Sequence, residues 1–164
     1  MIRTRGSAVV AAAPSAVFAL LDDPARLAVL APNRVEVVSS EELPDGRRST
    51  RTRTHMPGGA TVEAENVVVE RVPDHRLVLV STITPFGFAP TGRGRFGRAE
   101  TRIARTLEPH TDGTTVTVET ETRVSPAPLR LYFAFAKRGQ WQRATDDGLA
   151  RLRAAFSDEL LDPI

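Results

Sequence analysis

Most of the chain alternates hydrophobic and polar residues with a period of two. This alternation runs from residue 34 to residue 124 and is interrupted by turn sequences such as Pro44-Asp45-Gly46 and Pro57-Gly58-Gly59. A period of two is typical of half-buried strands, and clusters of Gly, Pro and Asp are typical of hairpin turns. The pattern predicts strands at 34–42, 47–56, 60–72, 76–84, 95–108 and 114–124, with a further strand at 2–10. We therefore expect a curved, seven-stranded antiparallel sheet.

The remaining segments have helical spacing. Pro14 suits the first position of a short helix whose apolar stripe is Val17-Phe18 and Leu20-Leu21. Asp23-Pro24 predicts the start of a second short helix, because Asp caps free amide groups and Pro has no amide to satisfy. A long helix is predicted from Pro128 to about Leu160. Gly139 and Gly148 are candidate positions for a bend in it.

Side chains two apart on a strand lie on the same side of the sheet, so the alternation also predicts which face is covered. In the last strand, Val116, Val118, Thr120, Thr122 and Val124 oppose Glu119, Glu121 and Arg123. In the third and fourth strands, Thr50, Thr52, Thr54, Met56, Val62, Ala64 and Asn66 oppose arginines and glutamates. We expect an inner face that is apolar and contains several threonines and one asparagine.

Composition is that of an ordinary globular protein. Hydrophobic residues make up 41% of the 164 residues and charged residues 26%, a length and balance that favour one folded domain over residues 1–164. The net charge of +2 is too small, and the arginines too dispersed, to indicate nucleic-acid binding. The absence of cysteine excludes disulfides and thiolate chemistry. The apolar run at 8–13 is too short for a signal peptide or membrane span, so we expect a cytoplasmic protein.

Two motif-like features do not predict a cofactor or a metal. Residues 92–97 spell G-x-G-x-x-G, but a predicted strand follows where a dinucleotide site requires a helix. His55, His75 and His110 lie in separate strand ends or turns and lack the spacing of metal ligands. We expect neither a cofactor nor a bound metal.

The order of elements and three segments resemble one superfamily. The segments are Ala12 to Asp23, the hairpin Gly113-Thr114-Thr115-Val116-Thr117-Val118, and the closing Gly148-Leu149-Ala150-Arg151-Leu152. Together they resemble the START/SRPBCC superfamily, in particular its polyketide cyclase/dehydrase and lipid-transport branch. The resemblance implies an α+β helix-grip fold, in which the sheet wraps around a long C-terminal helix, and a deep cavity for a hydrophobic or polycyclic molecule between them.

The candidate ligand-binding residues combine inner-face positions, loop phenylalanines and aromatic residues of the long helix. They are Phe18, Thr52, Thr54, Met56, Ala64, Asn66, Phe86, Phe88, Phe96, Thr120, Thr122, Tyr132, Phe135 and Trp141. The inner polar groups would orient a ligand hydroxyl or carbonyl, although threonine also suits strands for structural reasons.

Three functions stay open at this point. The first is a non-catalytic binder of a hydrophobic small molecule. The second is a cyclase or dehydratase of a poly-β-ketone. The resemblance implies that such an enzyme has an arginine or a tyrosine in its pocket, and Arg95 and Tyr132 are the nearest candidates. The third is an interaction module that forms a homodimer through the aromatic helix start at 129–135.

Overall fold

The protein forms one antiparallel sheet covered on one side by helices. The computed structural model describes residues 1–84, 97–136 and 138–158. Seven strands within these residues form the sheet, in the order β1-β7-β6-β5-β4-β3-β2. They are β1 Ile2–Val10, β2 Val35–Glu42, β3 Arg48–His55, β4 Thr61–Val72, β5 Arg76–Ile83, β6 Arg98–His110 and β7 Gly113–Ser125. This confirms the predicted curved meander and its strand limits to within two residues, except at the predicted start of the sixth strand, where residues 95 and 96 lie outside the described residues.

The first strand completes the sheet beside the last one. Strand β1 pairs antiparallel with β7 in a register that runs from Ile2 opposite Thr122 to Val10 opposite Thr114. Strands β6 and β7 form the long central hairpin, with Arg105 opposite Val118. Because side chains alternate across the sheet, this register places Thr4, Thr120 and the odd-numbered residues of β6 on the same, helix-covered face.

Two short helices follow β1. Helix α1 spans Pro14–Asp22 and helix α2 spans Pro24–Val29. The predicted cap is confirmed, because the Asp23 carboxylate accepts hydrogen bonds from the backbone amides of Ala25 and Arg26 at 2.9 and 3.3 Å. The C-terminal segment, predicted as one long helix, is described as α3 (Ala127–Ala136) and α4 (Arg138–Asp158); residue 137 between them lies outside the described residues.

The hydrophobic core has two parts at opposite ends of the central hairpin. The larger cluster joins α1 and the C-terminal half of α4 to the sheet; its members are Val10, Val17, Phe18, Leu20, Leu21, Leu77, Leu107, Val116, Leu149, Leu152 and Phe156. The smaller cluster joins α3 to the other end; it contains Ile2, Ala99, Val124 and Leu129, with Trp141 and Phe133 packed against it. The two core clusters therefore join the helices to the sheet near the two ends of the central hairpin.

Helix α4 lies against the edge strand β1. A Cβ atom on Gly6 would lie 2.7 Å from the Leu149 Cδ1 atom and 3.3 Å from the Asp146 Oδ1 atom, so the side chains of the helix pack directly against the backbone of β1 at this glycine. The Gln142 amide donates to the Arg5 carbonyl oxygen at 2.9 Å, and the Thr145 hydroxyl bonds to the Thr4 hydroxyl at 2.6 Å. These contacts fix α4 at one side of the sheet.

A salt-bridge cluster attaches the end of α1 to β3 and β4. The Asp22 carboxylate lies 2.9 Å from the Arg48 Nη2 atom and 2.7 Å from the Arg71 Nη2 atom. The Arg71 guanidinium also lies over the Phe18 ring, 5.4 Å from its centroid. Burial alone would raise the pKa of Asp22, but the hydrogen bond from Arg71 and the charge of Arg48 outweigh burial, and the pKa is lowered.

We predict that Asp22→Asn lowers the free energy of unfolding by about 2 kcal/mol at pH 7, because two guanidinium groups lose a charged partner. Since the pKa of Asp22 is lowered in the folded state, its stabilising contribution is present above the unfolded pKa near 4 and is lost as the pH falls through the folded value. Urea unfolding at pH 7 and at pH 3 measures both effects.

Asp45→Asn is the matched control. Asp45 also pairs with an arginine, Arg47, at 2.7 Å, but both side chains are exposed. Its stability should be almost that of the wild type at pH 7. Equal losses for the two variants would contradict a special role for the Asp22 cluster.

Candidate functional site

A cavity of about 940 Å³ lies between the inner face of β6 and β7, helix α2 and helix α4. Its sheet wall is formed by Thr101, Ile103, Arg105, Val118, Thr120 and Thr122. The opposite walls are Leu21, Leu27, Leu30, Ala31 and Pro32 around α2, and Gln140, Trp141, Arg143, Ala144, Thr145, Asp147, Gly148, Leu149, Arg151 and Leu152 on α4. This volume is in the range of sites that enclose a drug-sized molecule.

The walls of the cavity are mainly apolar, and its charged residues are mostly at the rim. Leu21, Leu149 and Leu152 are buried, whereas Arg143 and Asp147 on α4 are exposed to solvent. A ligand would therefore enter between α2 and α4, and would lie with its apolar surface against the leucines and Ile103.

Helix α4 can bound this cavity because its two sides have different contacts. Gln142, Thr145 and Leu149 contact β1, and their spacing of three and four residues puts them on one side of the helix. Trp141, Ala144 and Gly148 line the cavity, and Thr145 and Leu149 lie at the boundary, where they contact both β1 and the cavity. Anchoring along β1 thus leaves the neighbouring helix side facing the open space over β6 and β7.

The threonines of the inner face are hydrogen-bonded to each other. The Thr4 hydroxyl lies 2.7 Å from the Thr120 hydroxyl and 2.6 Å from that of Thr145, and the Thr101 and Thr122 hydroxyls are 3.0 Å apart. Thr145 also donates to the Trp141 carbonyl oxygen at 3.3 Å. These hydroxyls already have partners, so they give the cavity wall a polar character without requiring a ligand.

Arg105 is the charged residue of the sheet wall. It lies on the same side of β6 as Thr101 and Ile103, deep in the protein, and keeps some accessible surface where it borders the cavity. Within the described residues its side chain has no ion pair, and its Nη1 atom is buried without a hydrogen-bond acceptor. Burial lowers the pKa of Arg105 to about 10, so the group remains cationic at neutral pH.

A second unpaired donor lines the cavity at its other end. The Trp141 Nε1 atom is buried and has no acceptor, and the indole ring meets the Phe133 ring edge-on at a centroid distance of 6.2 Å. Trp141 packs against the cluster that contains Ala99, six residues from Arg105 along β6. Because a strand rises about 3.3 Å per residue, these two positions of the strand are about 20 Å apart.

The structure brings together three of the residues singled out from the sequence: Thr120, Thr122 and Trp141 line the cavity. Phe18 lies in the larger core cluster. Tyr132 and Phe135 are 54% and 83% exposed on α3, outside the cavity lining. Arg95, Phe86, Phe88 and Phe96 lie outside the described residues.

The predicted residues of β3 and β4 lie in a different part of the sheet. Thr52, Thr54, Met56, Ala64 and Asn66 are not among the residues that line the cavity. The Asn66 amide donates to the Thr50 carbonyl oxygen and to the Thr52 hydroxyl, both at 3.2 Å, which satisfies these groups within the sheet. The cavity is instead beside β6 and β7, where α4 is anchored.

Sequence reasoning missed Arg105. The signal that identifies it is the alternation within β6, where Thr101, Ile103 and Leu107 share its parity and Arg102 has the opposite one. An arginine that shares a strand face with threonine and isoleucine points toward the interior of the protein. Charged side chains are rarely buried, so such a position indicates a functional site.

The described residues contain neither a metal-binding cluster nor a membrane-spanning helix. No group of three or more acidic, histidine or cysteine side chains is arranged there to hold a metal ion. None of the helices in this part of the chain is both long enough and apolar enough to cross a bilayer.

A curved antiparallel sheet, a C-terminal helix across it and a cavity between them define a helix-grip protein. The family model described as polyketide cyclase/dehydrase and lipid transport matches residues 1–157, and the chain belongs to this family. A search of curated proteins found no match.

Solved structures share the fold at low sequence identity. Protein CV1439 of Chromobacterium violaceum is 18% identical with a TM-score of 0.67, the alignment covering 95% of this chain and 98% of that one. TTHA0849 of Thermus thermophilus is 17% identical with a TM-score of 0.68, covering 96% and 98%. The di-domain ARO/CYC StfQ of the steffimycin biosynthetic pathway is 14% identical with a TM-score of 0.70, covering 98% of this chain and 52% of that one.

We predict that Arg105→Met raises the free energy of unfolding by about 1–3 kcal/mol, because replacing a buried unpaired ion by an apolar side chain of similar length removes its desolvation cost. A cation with a lowered folded pKa imposes this cost fully below that pKa, about 10, so the gain should be complete at pH 7. Guanidinium unfolding at pH 7 measures it.

Arg102→Met is the control for this substitution. Arg102 is exposed and lies on the opposite face of the same strand, so its replacement should change stability by less than about 0.5 kcal/mol. A loss of stability in Arg105→Met would contradict the description of Arg105 as an unpaired buried cation.

Proposed function

We propose that the protein binds a hydrophobic small molecule in the cavity between β6, β7 and α4, as a carrier or binding protein. The observation that carries this proposal is the cavity itself, about 940 Å³ in volume, with five leucines, Ile103, Val118 and Trp141 among its lining residues. Transfer of apolar ligand surface from water to such walls is favourable in proportion to the area buried. Membership of a family whose description includes lipid transport supports the same class of ligand.

The hydrogen bonding of the site favours binding over catalysis. The threonine hydroxyls of the wall are occupied by each other, and within the described residues no carboxylate pairs with Arg105. A general acid–base mechanism requires a base or acid held within reach of the reacting group by a second residue. Such a pair is absent from the described part of the wall.

Arg105 favours a second candidate, a cyclase or dehydratase of a poly-β-ketone. A guanidinium beside an apolar cavity would stabilise the enolate that forms when such a chain folds on itself. The family description includes polyketide cyclase/dehydrase, and StfQ is described as an ARO/CYC protein. In this alternative Arg105 is the polar pocket residue of the cyclase, a role for which the sequence analysis suggested Arg95 and Tyr132.

We predict that Ala144→Trp weakens binding of the neutral dye Nile red by more than about tenfold, because the indole fills space that the ligand needs. Ala144 lines the cavity and is exposed to solvent, so the larger side chain can be accommodated by the fold. A fluorescence titration of purified protein, stripped of bound molecules, measures the dissociation constant.

The matched control is Ala150→Trp, the same substitution on the same helix. Ala150 is exposed and lies in the shallow groove beside Ser7 and Ala8, away from the cavity. Its dye affinity should equal that of the wild type. Equal affinities for both variants, or no dye binding by the wild type, would contradict the proposed site.

Incubation with a poly-β-ketone thioester separates the two candidates. Stoichiometric binding without conversion supports a carrier. Conversion that is lost in Arg105→Met, while Nile red binding is retained, supports a cyclase.

A further inference from the structure

We propose that the molecule bound in this cavity is an amphipathic carboxylate, whose apolar body lies along α4 and whose carboxylate pairs with the Arg105 guanidinium. This inference rests on the proposed binding function and specifies its ligand class. It is based on two observations: which of the described arginines have an acidic partner, and the two unpaired buried donors that line the cavity, Arg105 Nη1 and Trp141 Nε1.

Many of the described arginines, including the two of the Asp22 cluster, have acidic partners. Ion pairs within the described residues involve Arg3, Arg5, Arg47, Arg48, Arg53, Arg71, Arg76 and Arg98. The arginines with described side chains but no ion pair are exposed to solvent, apart from Arg105 and Arg151, which are both half-buried. Both of these line the cavity. Unpaired positive charge away from bulk solvent is therefore concentrated at this site.

An anion is the ligand group that best offsets the cost of burying Arg105. A half-buried guanidinium without a counter-charge has lost part of its hydration without gaining a charged partner. A carboxylate supplies two acceptor oxygens in the planar geometry of the guanidinium and brings one compensating charge. A neutral alcohol or ester leaves the charge of Arg105 unbalanced.

The ends of the cavity indicate an elongated ligand. Arg105 lies toward the larger core cluster and Trp141 toward the smaller one, and the wall between them consists of Ile103, Val118 and the mutually bonded threonines. An apolar chain with its carboxylate at Arg105 fits this order. The free Trp141 Nε1 donor would bind an acceptor oxygen further along the same molecule.

One other buried donor without an acceptor is found in the described residues, the Arg48 Nε atom. Its guanidinium is already bound to Asp22 at 2.9 Å, and Arg48 is not part of the cavity lining. Its charge is therefore compensated within the protein, which distinguishes it from Arg105.

The test compares ligands that differ only in their head group. Decanoate, decan-1-ol and methyl decanoate would each be titrated against Nile red bound to the stripped protein at pH 7.5. We expect wild-type protein to bind decanoate at least about tenfold more tightly than decan-1-ol, the range for a hydrogen bond between charged groups.

Variants assign this preference to one residue. Arg105→Gln removes the charge and should bind decanoate and decan-1-ol with similar affinity, while Arg105→Lys keeps the charge and should retain part of the preference for decanoate. Arg102→Gln, on the exposed opposite face of β6, should behave as wild type. Binding of decan-1-ol by Arg105→Gln shows that this variant keeps the cavity.

The outcomes separate this inference from the proposed function. If wild-type protein binds all three ligands equally, the cavity is a hydrophobic site without a preference for anions, and the proposal of a carboxylate ligand is wrong. If Arg105→Gln retains the preference for decanoate, the assignment to Arg105 is wrong. If neither Nile red nor any of the three ligands binds to the wild type, the proposed function itself is wrong.

Discussion

The position of α4 over the edge strand β1 is the constraint on which the cavity depends. The close approach at Gly6, where a Cβ atom would lie 2.7 Å from Leu149, and the hydroxyl pair of Thr4 and Thr145 hold the helix to one side of the sheet. A helix centred over β6 would fill the inner face with its own side chains. Displacement toward β1 leaves the part of β6 and β7 between the two core clusters open to the cavity, and α2 closes the space from the other side.

This arrangement separates the residues that stabilise the fold from those available to a ligand. The core clusters contact the sheet near its two ends, and the Asp22 cluster attaches α1 to β3 and β4. The cavity between them contains Arg105, whose burial without a partner opposes folding. A residue that lowers stability and lines a cavity is better explained by binding than by structure.

The fold could be predicted from the sequence more completely than the site. Turn residues and alternation gave strand limits to within two residues wherever both lie in the described part of the chain, and Asp23-Pro24 indicated the cap of α2, because these signals are local. Alternation also identified Thr120 and Thr122 as inward-facing. It could not choose between the two halves of the inner face, since Thr52 and Asn66 have the same local pattern but lie away from the cavity. Which half of the inner face lines the cavity depends on the contact of α4 with β1, and this tertiary contact cannot be predicted from local sequence patterns.

The hydrogen-bond partners of the inward-facing polar groups indicate which chemical groups a ligand could contribute. Buried polar groups in folded proteins have partners with few exceptions, and Thr101, Thr120 and Thr122 follow this rule by bonding to other threonines. Arg105 and Trp141 do not, and both are donors only. Two unpaired donors require acceptors, and one of the donors is cationic. In the ligand that we propose, the carboxylate pairs with Arg105, and an acceptor oxygen further along the molecule would bind the Trp141 donor.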